Sequence, residues 1–144
     1  MNTVQSPLSS SSQVSSPLRR FGRRGALVLS SLLALSVLLE VFLAGGGIFT
    51  SSSWWPLHII LGLVLTLFPI VFLLLAWMGQ LGRESVWLGV LTLLLIILQS
   101  FLVEIPRRIG LPILSALHPV NAVVIFGLAV FLAQRAWHGV RSDR

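Results

Sequence analysis

His58 and His118 are the side chains whose type and spacing carry the clearest chemistry. Each opens an apolar run, and the two runs are read below as helices that cross a membrane in the same direction. Two neutral imidazoles at similar depth on such helices can ligate one haem iron axially. Gly62 and Ala122, one turn further along, are small enough to leave room for a flat macrocycle. Arg107 and Arg108 precede the second of these runs, where charge-assisted bonds to propionates would suit them. Each ring's second nitrogen needs an acceptor to fix the tautomer, and Glu40 or Gln99 could supply it. Three other roles stay open for the pair. A histidine near a helix end can rest at the interface with its polar tip wet. Pro119 disfavours helix at His118, which would make that residue a cap. The pair could also hold another ligand or relay protons. A closed zinc site is not expected, because it wants four ligands and only two histidines are in place.

The other strongly polar residues inside apolar runs are Glu40, Gln99 and Asn121. Such groups are costly in hydrocarbon and face the interior of a bundle. Together with the two histidines they fall within roughly 15 Å of one membrane boundary at 1.5 Å of rise per residue. We read them as a polar core in the outer half of the bundle. Glu40 has two readings: a neutral carboxyl hydrogen-bonded to the third helix, or a group that relays protons or touches a quinone. His138 lies past the other end of the last helix, at headgroup depth.

The elements that position these residues follow from composition. The chain has 144 residues, 56% of them hydrophobic and 10% charged, with no cysteine and a net charge of +6. A soluble domain carries about a quarter charged residues, so this is an integral membrane protein. The missing cysteines exclude disulfides, thiolate metal sites and covalent haem attachment. All ten basic residues are arginines flanking apolar spans, which argues for membrane topology and against nucleic acid.

Four apolar runs, about 25–48, 56–78, 86–103 and 113–136, each approach the roughly 20 residues that span a bilayer. Near-continuous apolar runs in lipid are helices. The expectation is an all-α four-helix transmembrane domain over 19–140, preceded by a disordered Ser-rich cytoplasmic tail over 1–18. Eight arginines lie on one side and only Arg107 and Arg108 on the other, which puts both termini in the cytoplasm of a multi-pass inner-membrane protein. Trp77, Trp87 and Trp137 fall at inner helix ends, and Trp54 and Trp55 at an outer one. The first run is longer than a signal peptide's and carries Glu40, so it is read as retained. Gly45, Gly46 and Gly47 are expected to end helix one, and Pro69 to kink helix two.

An offset of 60 aligns the second and fourth runs: Leu57-His58 with Leu117-His118, Val64 with Val124, and Ala76-Trp77-Met78-Gly79 with Ala136-Trp137-His138-Gly139. The two hairpins are therefore expected to be parallel repeats, an arrangement that places sites between the repeats.

The stretch from Gly45-Gly46-Gly47 through Pro56-Leu57-His58, with Leu117-His118 further on, resembles one four-helix half of the haem A synthase family over about residues 30–137. That family carries a histidine pair on the second and fourth helices of each half. The resemblance implies haem ligation by His58 and His118. It does not extend to catalysis, because Ser51 to Trp55 hold no acid where the catalytic half has a glutamate before its first histidine. The chain is more closely similar to small uncharacterised four-helix bacterial membrane proteins. These share an AG-x-G-x-F segment (Ala44, Gly45, Gly47, Phe49) and an LHP-x-NA segment from Leu117 to Ala122.

The expected function is that of a small membrane protein holding one haem b between His58 and His118 near the outer face, with a cytochrome b-like role in electron transfer. A haem-free accessory subunit of a membrane complex is the main alternative, and a haem-modifying enzyme completed by homodimerisation is another. We assign no catalytic residue.

Overall fold

The computed structural model describes residues 16–143. Among these residues, four helical passages are long and apolar enough to cross a membrane: Pro17–Phe49, Ser52–Met78, Arg83–Arg108 and Pro112–Arg141. The first is α1 (Pro17–Phe49). The second opens with a 3-10 turn (Ser52–Trp54) and continues as α2 (Trp55–Leu65) and α3 (Leu67–Met78). The third is α4 (Arg83–Arg108). The fourth is a 3-10 turn (Pro112–Ala116) followed by α5 (Leu117–Arg141).

The boundaries differ from the apolar runs for local reasons. α1 begins at Pro17, eight residues before its apolar run, because Ser16 caps it (Ser16 Oγ accepts from Arg19 N at 3.3 Å) and proline suits the first helical position. The arginine cluster is thus helical, and residues 16–18 of the expected tail start a helix. Residues 1–15 of that tail lie outside the described residues. α4 extends three residues earlier and five later than its run, through Pro106 to Arg108. The second passage breaks at Thr66, in the turn before Pro69, whose ring nitrogen cannot bond the Leu65 carbonyl. Pro119 does not displace the start of α5, which lies at Leu117. Pro119 falls in the first turn, where no carbonyl awaits its N–H. His118 is therefore helical rather than a cap.

Gly45 to Gly47 do not end α1, which runs on to Phe49 and closes with Thr50 Oγ1 donating to Gly46 O at 2.6 Å. Their role is packing. A Cβ on Gly46 would lie 2.7 Å from the Trp54 ring, and one on Gly47 2.7 Å from the Trp55 ring. The glycines make room for two indoles at this end of the bundle.

The core interleaves alanines (Ala26, Ala34, Ala76, Ala129 and Ala136) with larger side chains such as Leu33, Leu65, Phe72, Ile96, Ile125 and Leu132. Small residues at such positions let helix backbones approach closely. Many other large apolar side chains are exposed, among them Phe42, Leu63, Ile60 and Val123, forming a coat suited to hydrocarbon. The closest approach joins α1 and α3 at Gly22 and Gly79. A Cβ on Gly22 would sit 2.7 Å from both Gly79 Cα and Leu75 O. Gly22→Val is expected to lower stability by about 1–3 kcal/mol through overpacking. Gly45→Ala has open space around its Cβ. It should be neutral or gain up to about 1 kcal/mol from helix propensity. Unfolding in mixed micelles measures both.

Buried positions recur between the hairpins. Leu65, Pro69, Phe72 and Ala76 are buried in the second passage, and Ile125, Ala129, Leu132 and Ala136, each 60 residues on, are buried in α5. Ala26, Ser30, Leu33 and Val37 are buried in α1, and Ser85, Gly89, Thr92 and Ile96, each 59 residues on, are buried in α4.

One end of the bundle is tied by Arg23, which is buried. Its Nε donates to Gly79 O at 2.9 Å, and its Nη1 donates to Gly139 O at 2.8 Å, Ser142 Oγ at 2.9 Å and Asp143 Oδ1 at 2.7 Å. The start of α1, the end of α3 and the end of α5 therefore meet around one guanidinium. Beside it, Arg135 joins α5 to α4 through Glu84 Oε2 at 2.7 Å and Ser85 Oγ at 2.9 Å. Arg23 is thus more than a topological charge: it is an interior polar hub.

Candidate functional site at the histidine end

The opposite end of the bundle gathers the polar residues singled out from the sequence. His58 lies in the first turn of α2, behind Pro56, and Glu40 lies on the facing stretch of α1. His58 Nδ1 is 3.2 Å from the backbone oxygen of Glu40 and in ion-pair contact with Glu40 Oε2. That contact is close in distance but poorly angled, and neither carboxylate oxygen of Glu40 makes a well-formed hydrogen bond among the described residues. Glu40 thus turns to α2. Among the described residues, Glu40 makes no hydrogen bond to the third helix, where one was expected.

His118 is held in a matching way by α4. Its Nδ1 is 3.0 Å from Gln99 O, and Gln99 Nε2 donates back to His118 O at 2.9 Å. Asn121 Nδ2 donates to Leu95 O at 2.9 Å and to Gln99 Oε1 at 2.5 Å, which locks the Gln99 amide. In each hairpin, then, the histidine of the second helix presents Nδ1 to a backbone carbonyl of the first: residue 40 for His58 and residue 99 for His118.

A carbonyl oxygen only accepts, so Nδ1 must carry the proton in each ring. In the neutral imidazole that leaves the lone pair on Nε2. Backbone or carboxylate acceptors on the remote nitrogen are the usual support of a metal-ligating histidine. The two rings lie next to each other in an edge-on arrangement, with centroids 6.1 Å apart and planes inclined by 61°. Among the described residues there is no group of three or more His, Cys, Asp or Glu side chains that could hold a metal ion. The donors brought together here are thus two imidazoles, one from each hairpin.

The remaining expected site residues divide. Gly62 lies under Glu40, where an added Cβ would be 3.7 Å from Glu40 Oε1. Ala122 packs on the apolar core below. Arg107 and Arg108 lie exposed at the end of α4, and Arg108 Nε pairs with Glu104 Oε1 at 2.6 Å. His58 also has a neighbour that sequence reasoning missed: Trp55, whose ring meets the imidazole edge-on at 5.7 Å. The signal was present in the i, i+3 spacing of the two residues. The backbone acceptors had no signal, since every residue carries a carbonyl.

Gln99 supports the site through its bonds to His118 and Asn121. Gln99→Leu removes its bonds to His118 O and Asn121, and should cost about 1 kcal/mol, since interhelical hydrogen bonds in membranes average about 0.6. Gln99→Glu should cost less, because an acceptor for Asn121 remains. Both are read by unfolding in mixed micelles.

No curated protein and no solved structure matches the chain, and the resemblance to haem A synthase finds no support in these comparisons. Residues 40–109 match the model of a family described as a family of unknown function (DUF6220), a match that includes Glu40, His58 and Gln99 and ends before His118 and Asn121.

Proposed function

We propose that this protein is a membrane b-type haem protein, with His58 and His118 as the two axial ligands and a role in passing electrons within or to the membrane. The observation that carries the reading is the adjacency of the two imidazoles, centroids 6.1 Å apart, each with Nδ1 held by a backbone carbonyl of its own hairpin. When bound, the haem would supply one-electron redox chemistry. The chain's part is to fix both rings in one tautomer and to keep the site in a low-dielectric setting. Gly62 and Ala122 limit side-chain bulk one turn below the ligands. Arg107 and Arg108 suit propionates only if Arg108 leaves Glu104.

The recurrence of buried positions at offsets of 59 and 60 supports reading the two hairpins as parallel repeats with the site between them. The excess of arginine at the Arg23 end supports a cytoplasmic location for both termini and an inner-membrane address. The reciprocal clasp between Gln99 and His118 favours a second reading, a haem-free accessory subunit in which the histidines are structural. Titrating the detergent-solubilised protein with haemin separates the two. The first reading expects saturation at one haem per chain. Absence of saturable binding by folded protein would leave the accessory reading.

A further inference from the structure

A groove of about 670 Å³ lies between α1 and α3 at the Arg23 end, far along α1 from the histidines. Its floor is apolar, formed by Phe21, Val28, Leu29 and Leu75, and its rim carries Arg24 with Arg20 one turn before it. A second groove, of about 600 Å³ between α1 and α5, is also apolar but has only Ser31 and Gln134 as polar lining and no charge. The first groove therefore joins two features that the second lacks together: an open apolar surface and an arginine edge. Phe21 and Val28 stand on the same side of α1 as Arg24 and are exposed, so an acyl chain laid along them would bring its headgroup phosphate to the guanidinium. Basic pockets between membrane helices hold anionic headgroups in this way. A free phosphate would use the rim and leave the floor unused.

We propose that this groove binds one anionic phospholipid, its phosphate on Arg24 and an acyl chain on Phe21, Val28, Leu29 and Leu75. The proposal is independent of the haem reading. The test is native mass spectrometry of the delipidated full-length protein with dioleoyl phosphatidylglycerol or dioleoyl phosphatidylcholine added. Phosphatidylglycerol should bind about five-fold more tightly, the worth of one arginine near an anionic surface. Arg24→Gln should bring its affinity down to that of phosphatidylcholine, and Arg24→Lys should retain most of the preference. Arg141→Gln, which removes an exposed arginine stacked on Trp137 at the same end, should leave it unchanged. Inorganic phosphate in millimolar excess should not displace the lipid. Equal binding of the two lipids by the wild-type protein would overturn the proposal without reference to any variant. So would equal losses in Arg24→Gln and Arg141→Gln, or displacement by free phosphate.

Discussion

Arg23→Met is expected to destabilise the protein by about 3 kcal/mol, the low end of what is lost when one partner of a buried ion pair is removed. Arg23 and Asp143 have side chains only 6% and 9% exposed, and the same guanidinium serves Gly79 O and Gly139 O. Methionine fills much of the volume but leaves a carboxylate and two carbonyls without their donor. The loss stays near the low end because Asp143 is two residues past α5 and can turn toward water. Arg23→Lys should recover little, since an ammonium on a flexible stem lacks the planar fork that reaches α3 and α5 together. The double variant Arg23→Met, Asp143→Ala should be more stable than Arg23→Met alone, because it no longer leaves a carboxylate without its donor. Unfolding in mixed micelles reads all four proteins. Equal stability of Arg23→Met and wild type would show that the hub contributes nothing net.

The second large effect concerns the histidines. His58→Ala and His118→Ala should each weaken haem binding by roughly 100-fold or more, since loss of an outer-shell partner alone costs 10–100-fold. The variants should differ in how they fail. His118→Ala leaves the ring of His58 with Glu40 beside it and Trp55 at its edge. His58→Ala removes the imidazole that contacts Glu40, so a polar side chain is left in the bundle without that neighbour and stability falls too. Haem affinity by optical titration and stability by unfolding separate the two effects. Unchanged affinity in both variants would remove the histidines from the site.

Much of the architecture was legible in the sequence because hydropathy over 20 residues is a strong signal. The four passages fall where the apolar runs lie, and the clustering of Glu40, His58, Gln99, His118 and Asn121 at one depth followed from counting residues along each helix. Which of them touch was not legible. Depth is set by position along a helix, but partnership is set by rotation about it, and helices that are apolar all round give little rotational signal. Glu40 accordingly meets His58 on the next helix and not the third helix. Arg23 looked like any arginine of its cluster, since the inside-positive excess counts charges without regard to burial. Gly45 to Gly47 read as a helix end because glycine commonly ends helices; what Gly46 and Gly47 serve is the approach of Trp54 and Trp55. The likeness of the second helices showed as identities such as Ala76 with Ala136. That of the first helices did not, because pairs such as Ala26 with Ser85 or Leu33 with Thr92 share burial and not residue type.

The central claim is that His58 and His118 ligate one metal centre together. It is tested most directly by low-temperature electron paramagnetic resonance of the oxidised, haem-loaded protein, with the haem content counted per chain. The account predicts one low-spin ferric haem with two imidazole ligands, converted to high spin or lost in either histidine variant. A colourless folded protein, or the same low-spin signal in both variants, would contradict it.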